Sequence, residues 1–438
     1  MLRMLMMHLK TLFFVALMLF SFATAALEFE PGVGVGLEYT DNATLSADNP
    51  VDDLIAIGYI GASLAQTEGP LRADISATLN HLRYTQDTFE DQRYFSLNAV
   101  ADWEMVKDRF DWFLGNYYNQ RPINSADPNT PTNLQDSNSF VFGADWFWPI
   151  SGRQTVTVTP EYRNFYYELQ ATDNQQLSLS ASWDYNLTPL TAVGARGYVR
   201  AVEYDEPVIN DVTFSSIFFT LASQRVNSDF TTNLGFTDVD RENGQTTEEF
   251  AGFVDWVFSF SELSKLRAFV SSDLTDTSSG ALTATVDPGT GDPNDIQVTT
   301  DVIRNKVIVL GYTRTYRTLE SSLSGELRDL NYSESPNDRT IFTLRANLNY
   351  PLTEALTGGL YALFNNTEFV DVDRTDDNIT VGAKAGYRLT RKLSSTFDLK
   401  YRTRDSTRAT ENFDEWSAYV NLAWGFGQPL RPTRAGGF

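Results

Sequence analysis

A period of two governs this chain and limits what it can become. Between residues 28 and 426, apolar and polar residues alternate in segments of about 10 to 14 residues, each ended by a turn or loop. In 71–84, Leu71, Ala73, Ile75, Ala77 and Leu79 share one phase, and Arg72, Asp74, Ser76, Thr78 and Asn80 share the other. In 379–389, Ile379, Val381, Ala383, Ala385 and Tyr387 oppose Thr380, Gly382, Lys384, Gly386 and Arg388. Successive side chains of a strand point to opposite sides, so each segment reads as a strand with one apolar and one polar face. Soluble strands share that period but run about 5 or 6 residues, whereas a tilted membrane-crossing strand needs roughly 9 to 11. The polar phase is rich in Ser, Thr, Asn, Gly and Tyr with scattered Arg, which suits a wet lumen better than a solvent face.

Twenty such segments can be placed, from 28–39 to 415–426, with eighteen as the alternative count where 305–332 is read differently. Loops after odd segments are long: 40–53, 85–93, 120–138, 275–304 and 405–414. Those after even segments are short, as at 67–70, 188–190 and 390–392. The spacing predicts one all-β domain over 26–426, a single antiparallel up-and-down transmembrane barrel with both termini on the short-turn side. Short turns of such barrels face the periplasm, so 120–138 and 275–304 are expected outside the cell. Trp103, Trp112, Trp146, Trp148, Trp183, Tyr185, Trp256, Phe258, Phe260, Tyr350 and Trp424 predict an aromatic girdle at the short-turn interface. Tyr39, Tyr84, Tyr117, Tyr118, Tyr166, Tyr167, Tyr204 and Phe369 predict a second at the long-loop interface.

Arg3, His8 and Lys10 flank or precede an apolar run, 11–22, and Ala23-Thr24-Ala25 follows with small residues. That order predicts a cleaved secretory signal over 1–25. The remaining 413 residues (438 − 25) hold no second long apolar run, which excludes a bundle of membrane helices. They carry 32 basic residues (34 less Arg3 and Lys10) against 57 acidic ones, a net charge of −25 that argues against a nucleic-acid partner. Acids concentrate in the long loops, as at Asp52/Asp53, Glu90/Asp91, Asp205/Glu206, Glu248/Glu249 and Asp371/Asp373/Asp376/Asp377. They read as solvated loops, with divalent-cation bridging to lipid head groups as the sharper alternative; their spacing matches no metal-binding loop, and no metal or cofactor is predicted.

Catalytic signals are scarce. After signal removal His81 is the one histidine, it falls on the apolar phase, and the chain has no cysteine, Walker loop or dinucleotide fingerprint, so no catalytic residue is predicted. Gly32, Gly34 and Gly36 read as a flexible first strand. The polar phase does carry bases: Arg196 and Arg200 beside Tyr198 and Tyr204, then Arg345, Lys384, Arg388, Lys400, Arg402 and Arg404. These either pair with acids and stiffen the wall or form a lumen-facing basic stripe that guides anionic or hydroxyl-rich solutes. The last segment ends in Trp424 and Phe426, which read as the signal for the outer-membrane assembly machinery. Pro429 and Pro432 keep 427–438 off the ladder as a periplasmic tail, and its terminal Phe438 competes with Phe426 for the signal role.

The first strand alternates Gly and Val, then leads into Tyr39-Thr40-Asp41-Asn42, Leu45-Ser46 and an acidic loop. With the paired segments 71–84 and 94–105 and with Asp108-Arg109-Phe110, this resembles the family Putative beta-barrel porin 2, outer-membrane proteins associated with exopolysaccharide and PEP-CTERM/exosortase gene clusters. That family has Pro-Gly in the second strand where this chain has Tyr59-Ile60-Gly61. The resemblance implies an outer-membrane channel taking part in exopolysaccharide export. Its partners would be outer-membrane lipids, the assembly machinery and periplasmic export proteins, and it brings no catalytic residues. A general small-solute porin and a structural or adhesive barrel are the alternatives.

Overall fold

The computed structural model describes residues 27–286 and 292–425. The signal segment, Phe426 and the tail 427–438 lie outside the described residues. Twenty strands follow in chain order: β1 (Glu28–Thr40), β2 (Asp53–Gln66), β3 (Leu71–Tyr84), β4 (Gln92–Val106), β5 (Phe110–Pro122), β6 (Leu134–Ser151), β7 (Gln154–Tyr167), β8 (Asn174–Thr188), β9 (Thr191–Tyr204) and β10 (Val212–Arg225). The second half continues with β11 (Ser228–Arg241), β12 (Thr246–Ser261), β13 (Ser264–Asp276), β14 (Val302–Tyr316), β15 (Leu319–Tyr332), β16 (Arg339–Pro351), β17 (Leu356–Phe369), β18 (Arg374–Arg388), β19 (Leu393–Ser406) and β20 (Phe413–Trp424). One helix, α1 (Thr277–Val286), lies between β13 and β14.

Each strand pairs antiparallel with its chain neighbours, and β1 pairs β20, so the sheet closes as the expected up-and-down barrel of twenty strands rather than eighteen. One end carries the short turns, such as 152–153, 189–190 and 226–227; the other carries the long connections, up to 277–301. Ladder partners share a face, so register assigns the outside. Leu79 stands opposite Ile60 and Phe95, and Phe342 stands two residues out of register with Phe364, on the same outward phase. Ile217 and Leu177 are 66% and 65% exposed, and large apolar side chains cover this face on every side. Water would not tolerate so extensive an apolar surface on a monomer. A bilayer favours it, and a closed barrel leaves no backbone edge to desolvate. Near the short turns Trp146, Trp148, Trp183, Trp256, Phe260, Tyr350 and Trp424 project outward as a girdle.

The closing seam is the shortest pairing, running from Val33↔Trp424 to Thr40↔Ser417. The Thr40-Asp41-Asn42 run extends it with side chains. Thr40 Oγ1 donates to Glu415 Oε1 at 2.8 Å, and Asp41 Oδ1 accepts from the Trp416 amide at 2.7 Å. Buried Asn42 donates to the carbonyls of Asp414 (2.8 Å) and Ser46 (2.9 Å). The four-residue motif is therefore a clasp that joins the first strand to the last. The early glycines serve closeness rather than flexibility: a Cβ on Gly34 would stand 2.2 Å from the Tyr59 ring, which lies across β1.

Candidate functional site

The candidate site is the lumen. At its long-loop end the inward phase is filled, by apolar side chains and by buried polar ones such as Asn174, Gln176, Arg328 and Arg374. The loop expected outside as 275–304 instead folds inward over its described parts 277–286 and 292–301; residues 277–282 and Ala284 are buried. Ala281, Leu282, Ile296 and Val298 pack with Phe165, Tyr167, Ile303, Leu330, Tyr332 and Ile341, side chains from β7, β14, β15 and β16. Burying these apolar groups drives the docking, and polar anchors fix its position. Asn174 donates to Ser278 Oγ at 3.0 Å, and Gln176 donates to Asp276 Oδ1 at 3.0 Å. Asp276 in turn caps α1 by accepting from the Ser279 amide at 2.8 Å. Fully buried Arg328 donates to the Asp292 carbonyl at 2.7 Å and to Asn305 Oδ1 at 3.1 Å, and it pairs with Asp295 at 3.3 Å.

A second connection, 123–133, crosses the lumen. Arg339 of β16 donates to Ser125 Oγ at 2.8 Å, and Arg374 of β18 and Arg404 of β19 donate to the Ala126 carbonyl at 3.0 and 3.3 Å. Those strands stand 11 to 14 places beyond β5 in a ring of twenty, on the opposite wall. The two connections join where Gln297 accepts from the Ser125 amide at 2.8 Å. Together they bridge the long-loop mouth from wall to wall.

The wall itself yields to admit α1. The β12–β13 ladder stops at Gly252↔Ser272, although β12 continues on β11 to Thr246 and β13 continues on β14 to Asp276. Gly252 has φ +144°, and a Cβ there would meet the Asn233 carbonyl at 2.0 Å, so only glycine fits. Beyond this point Leu274 is buried with Val202, Phe214 and Val239, the inward side chains of β9, β10 and β11. The end of β13 therefore lies inside the wall. Arg304 of β14 reaches Glu249 of β12 across the split.

This packing corrects the second aromatic girdle. Tyr39, Tyr118 and Tyr166 fall on the outward phase as expected, but Tyr84, Tyr167, Tyr204 and Phe369 are buried on the inward phase, and Tyr117 packs against the docked connection. The reason is that the inward phase near the long loops is hydrophobic core, so its tyrosines face packing partners instead of lipid. Three acids of the long connections also have structural work: Asp173, Asp211 and Asp338 accept from the amides of Tyr167 (2.7 Å), Tyr204 (3.2 Å) and Tyr332 (2.6 Å) and close their loops.

The basic stripe divides. All eight residues fall on the inward phase. Arg200 pairs with Asp276 at 3.1 Å, Arg345 with Glu326 at 3.0 Å, Arg402 with fully buried Glu415 at 2.5 Å, and Arg404 with Asp376 at 3.8 Å. Arg402 thereby joins the clasp, since Glu415 also holds Thr40. Lys384 and Lys400 are likewise engaged. Arg388 donates to the Glu354 carbonyl at the short-turn rim. Arg196 alone of the eight has no hydrogen-bond or ion-pair partner among the described residues. Trp424 projects outward on the closing strand at 49% exposure, and Phe426 lies outside the described residues.

Two cavities remain beside the docked connections. One of about 190 Å³ lies along β16–β19 beneath 122–129, lined by Arg339, Arg345, Asn365, Asn378, Arg402 and Arg404. The other, about 390 Å³, lies along β7–β14 with Thr283 of α1 on its lining. In the docked connection, burial with Asp292 beside it pushes the Asp295 carboxyl up to about 7, against the pull of Arg328. Burial likewise raises Asp173 to about 6.

The family model Putative beta-barrel porin 2 matches residues 339–426, from β16 to the closing strand, and supports the family reading made from the first strand. The sequence matches no curated protein. Among solved structures, the chain is similar to the FrpB iron transporter of Neisseria meningitidis (9% identity, 90% of this chain and 82% of that one, TM-score 0.47). It is also similar to the ferric enterobactin receptor PfeA of Pseudomonas aeruginosa (10%, 91% and 80%, 0.49). A third likeness is to Pseudomonas aeruginosa OccK2 in complex with glucuronate (10%, 92% and 98%, 0.41). The closed strand register, not these distant likenesses, establishes the barrel.

Proposed function

We propose that this barrel, whose closing strands match a porin family, is a gated, non-catalytic outer-membrane channel that passes exopolysaccharide. The observation that carries the gated reading is the bridging of the long-loop mouth by 123–133 and 277–301, which hold each other through Ser125 and Gln297. A barrel of this strand number without such a filling leaves a wide aqueous lumen, as 16 to 18 strands already do. The polar remainder of the inward phase, rich in Ser, Thr and Asn, suits a hydroxyl-rich solute. In this reading the long loops face outside, lipids surround the apolar face, and the assembly machinery and periplasmic export proteins are the partners. The polymer arrives from the short-turn side, and displacement of the docked connections opens the way.

Two experiments test this. Replacing 278–300 by a short Gly-Ser link should raise single-channel conductance in planar bilayers several-fold. In cells, removing the barrel should leave exopolysaccharide trapped in the periplasm, and restoring it should return polymer to the surface. Unchanged surface polymer together with slower small-solute uptake would instead identify a general diffusion porin.

A further inference from the structure

The cavity of about 390 Å³ beside α1 differs from the rest of the lumen in the state of its polar groups. Elsewhere Arg345 and Arg402 hold carboxylates, and Arg339 and Arg388 hold a hydroxyl and a backbone carbonyl. On this lining Arg163 is taken by Glu161 at 2.6 Å and Arg200 by Asp276 at 3.1 Å. Arg196 is not taken. Its rung neighbours are Ser182 on β8 and Phe218 on β10. The acid nearest in register, Asp184, accepts from Ser182 at 3.3 Å. Asp273 is also on the lining.

Around Arg196 the lining offers further unused hydrogen-bonding capacity. Ser180 stands on the rung beside Tyr198, and neither hydroxyl has a partner among the described residues. Asn233 Oδ1 is buried there without a hydrogen bond. Two aromatic pairs complete the wall. Tyr198 stacks on Phe218 with centroids 6.2 Å apart and planes within 18°, and Phe253 stacks on Phe269 at 6.2 Å and 27°. All four rings line the cavity, Tyr198 and Phe253 half-buried and Phe218 and Phe269 at 7% and 5% exposure. Below, the Arg267–Asp255 pair, with two bonds of 3.0 Å, fixes Phe269 from beneath.

We infer that this cavity is a binding station for a saccharide unit bearing a carboxylate. The sugar's C–H faces lie on Tyr198 and Phe253, its carboxylate on Arg196, and its hydroxyls on Ser180, Tyr198 and Asn233. The chemistry is complementary at each point. Apolar sugar faces pack on rings, a planar guanidinium takes a planar carboxylate in two parallel bonds, and the free hydroxyls and amide serve the sugar's own. The volume falls within the roughly 300–1,000 Å³ usual for ligand pockets. This assignment rests on the polysaccharide reading and names the charge of the polymer it would carry.

The test uses the full-length barrel purified in detergent and titrated calorimetrically with trigalacturonate, with neutral maltotriose as the control. Trigalacturonate should bind, and maltotriose should bind at least tenfold more weakly. Arg196→Gln should weaken trigalacturonate at least tenfold and leave maltotriose unchanged. Arg196→Lys should recover part of the loss, and Arg391→Gln, in the short turn between β18 and β19, should change neither. Equal affinity for the two sugars, or an Arg196→Gln barrel of unchanged melting temperature that still binds trigalacturonate normally, would overturn the assignment. The failure of the wider reading is separable. If trigalacturonate binds as described but a strain lacking the barrel still exports its polymer, the station stands and the export role falls. If polymer export is lost in that strain while trigalacturonate does not bind, only the station falls.

Discussion

Near the short turns the inward phase of the barrel is Thr155, Thr157, Ser180, Ser182, Asn347 and Asn349; near the long loops it is Ile55, Ile57, Tyr59, Val202, Phe214 and Leu330. The same alternation, on the same strands, lines a wet wall in one half and a dry core in the other. A barrel's inward phase thus follows whatever stands opposite it. Where the lumen holds solvent, small hydroxyls and amides satisfy themselves with water. Where it holds a folded segment, the wall must supply hydrophobic partners at interior packing density.

The sharpest way to break this contrast is to remove the buried cation that holds the docked connection. Arg328→Met leaves Asn305, Asp295 and the Asp292 carbonyl without their donor. Losing one partner of a buried ionic group costs about 3–5 kcal/mol. The docked connection should release while the barrel persists. Limited proteolysis should then cut within 277–301 in the variant and spare it in the parent, and conductance should rise.

Perturbing the clasp should instead loosen the wall and leave the docked connection in place. Asn42→Ala removes two part-buried hydrogen bonds to carbonyls, one of them across the closing seam, a loss of about 1–3 kcal/mol for the two. Arg402→Gln, which strips fully buried Glu415 of its ion pair, should act in the same direction. Both variants should unfold at lower denaturant concentration, and their ion selectivity should change less than their stability. Arg388→Gln, at the short-turn rim, should show the reverse order.

A smaller effect separates the two halves by pH. The Asp295 carboxyl titrates near 7 when docked and, once released to water, near the ordinary value of about 3.9. The docked state therefore holds its proton more tightly. Docking is fully supported below about pH 4 and weakens as pH rises toward 7. Conductance of the parent should be lower at pH 5 than at pH 8, and Asp295→Asn should flatten that dependence while remaining docked. A conductance that falls as pH rises would contradict the assignment.

The strands were legible because lipid and a closed ladder leave few alternatives to a long run of period two; even the segment 319–332 was placed on its observed bounds. The filling of the lumen was less so. Periodicity says which side chains face inward but not what meets them there. A signal was present in β2, where Leu54, Ile55, Ala56 and Ile57 make both phases apolar, which no wet wall would require. Another lay in 277–286, TSSGALTATV, an uncharged small and apolar run unlike an exposed loop. The phase of the basic stripe was readable, but its partners were not: Glu415 and Asp276 are separated from Arg402 and Arg200 by 13 and 76 residues, and the second contact exists only because β13 turns inward.

Residues 277–286 and 292–301 lie inside the barrel, against its inward wall. The chain has no cysteine, so single introduced thiols report without background. Ala281→Cys, at a position 0% exposed in the docked helix, and Val208→Cys, at a position 89% exposed in connection 205–211, should be compared with a bulky membrane-impermeant maleimide on the purified, reconstituted barrel. Labelling should be rapid at residue 208 and at least a hundredfold slower at residue 281, with the difference abolished by Arg328→Met. Equal rates at the two positions in the parent barrel would show that the connection projects into solvent and would contradict the account.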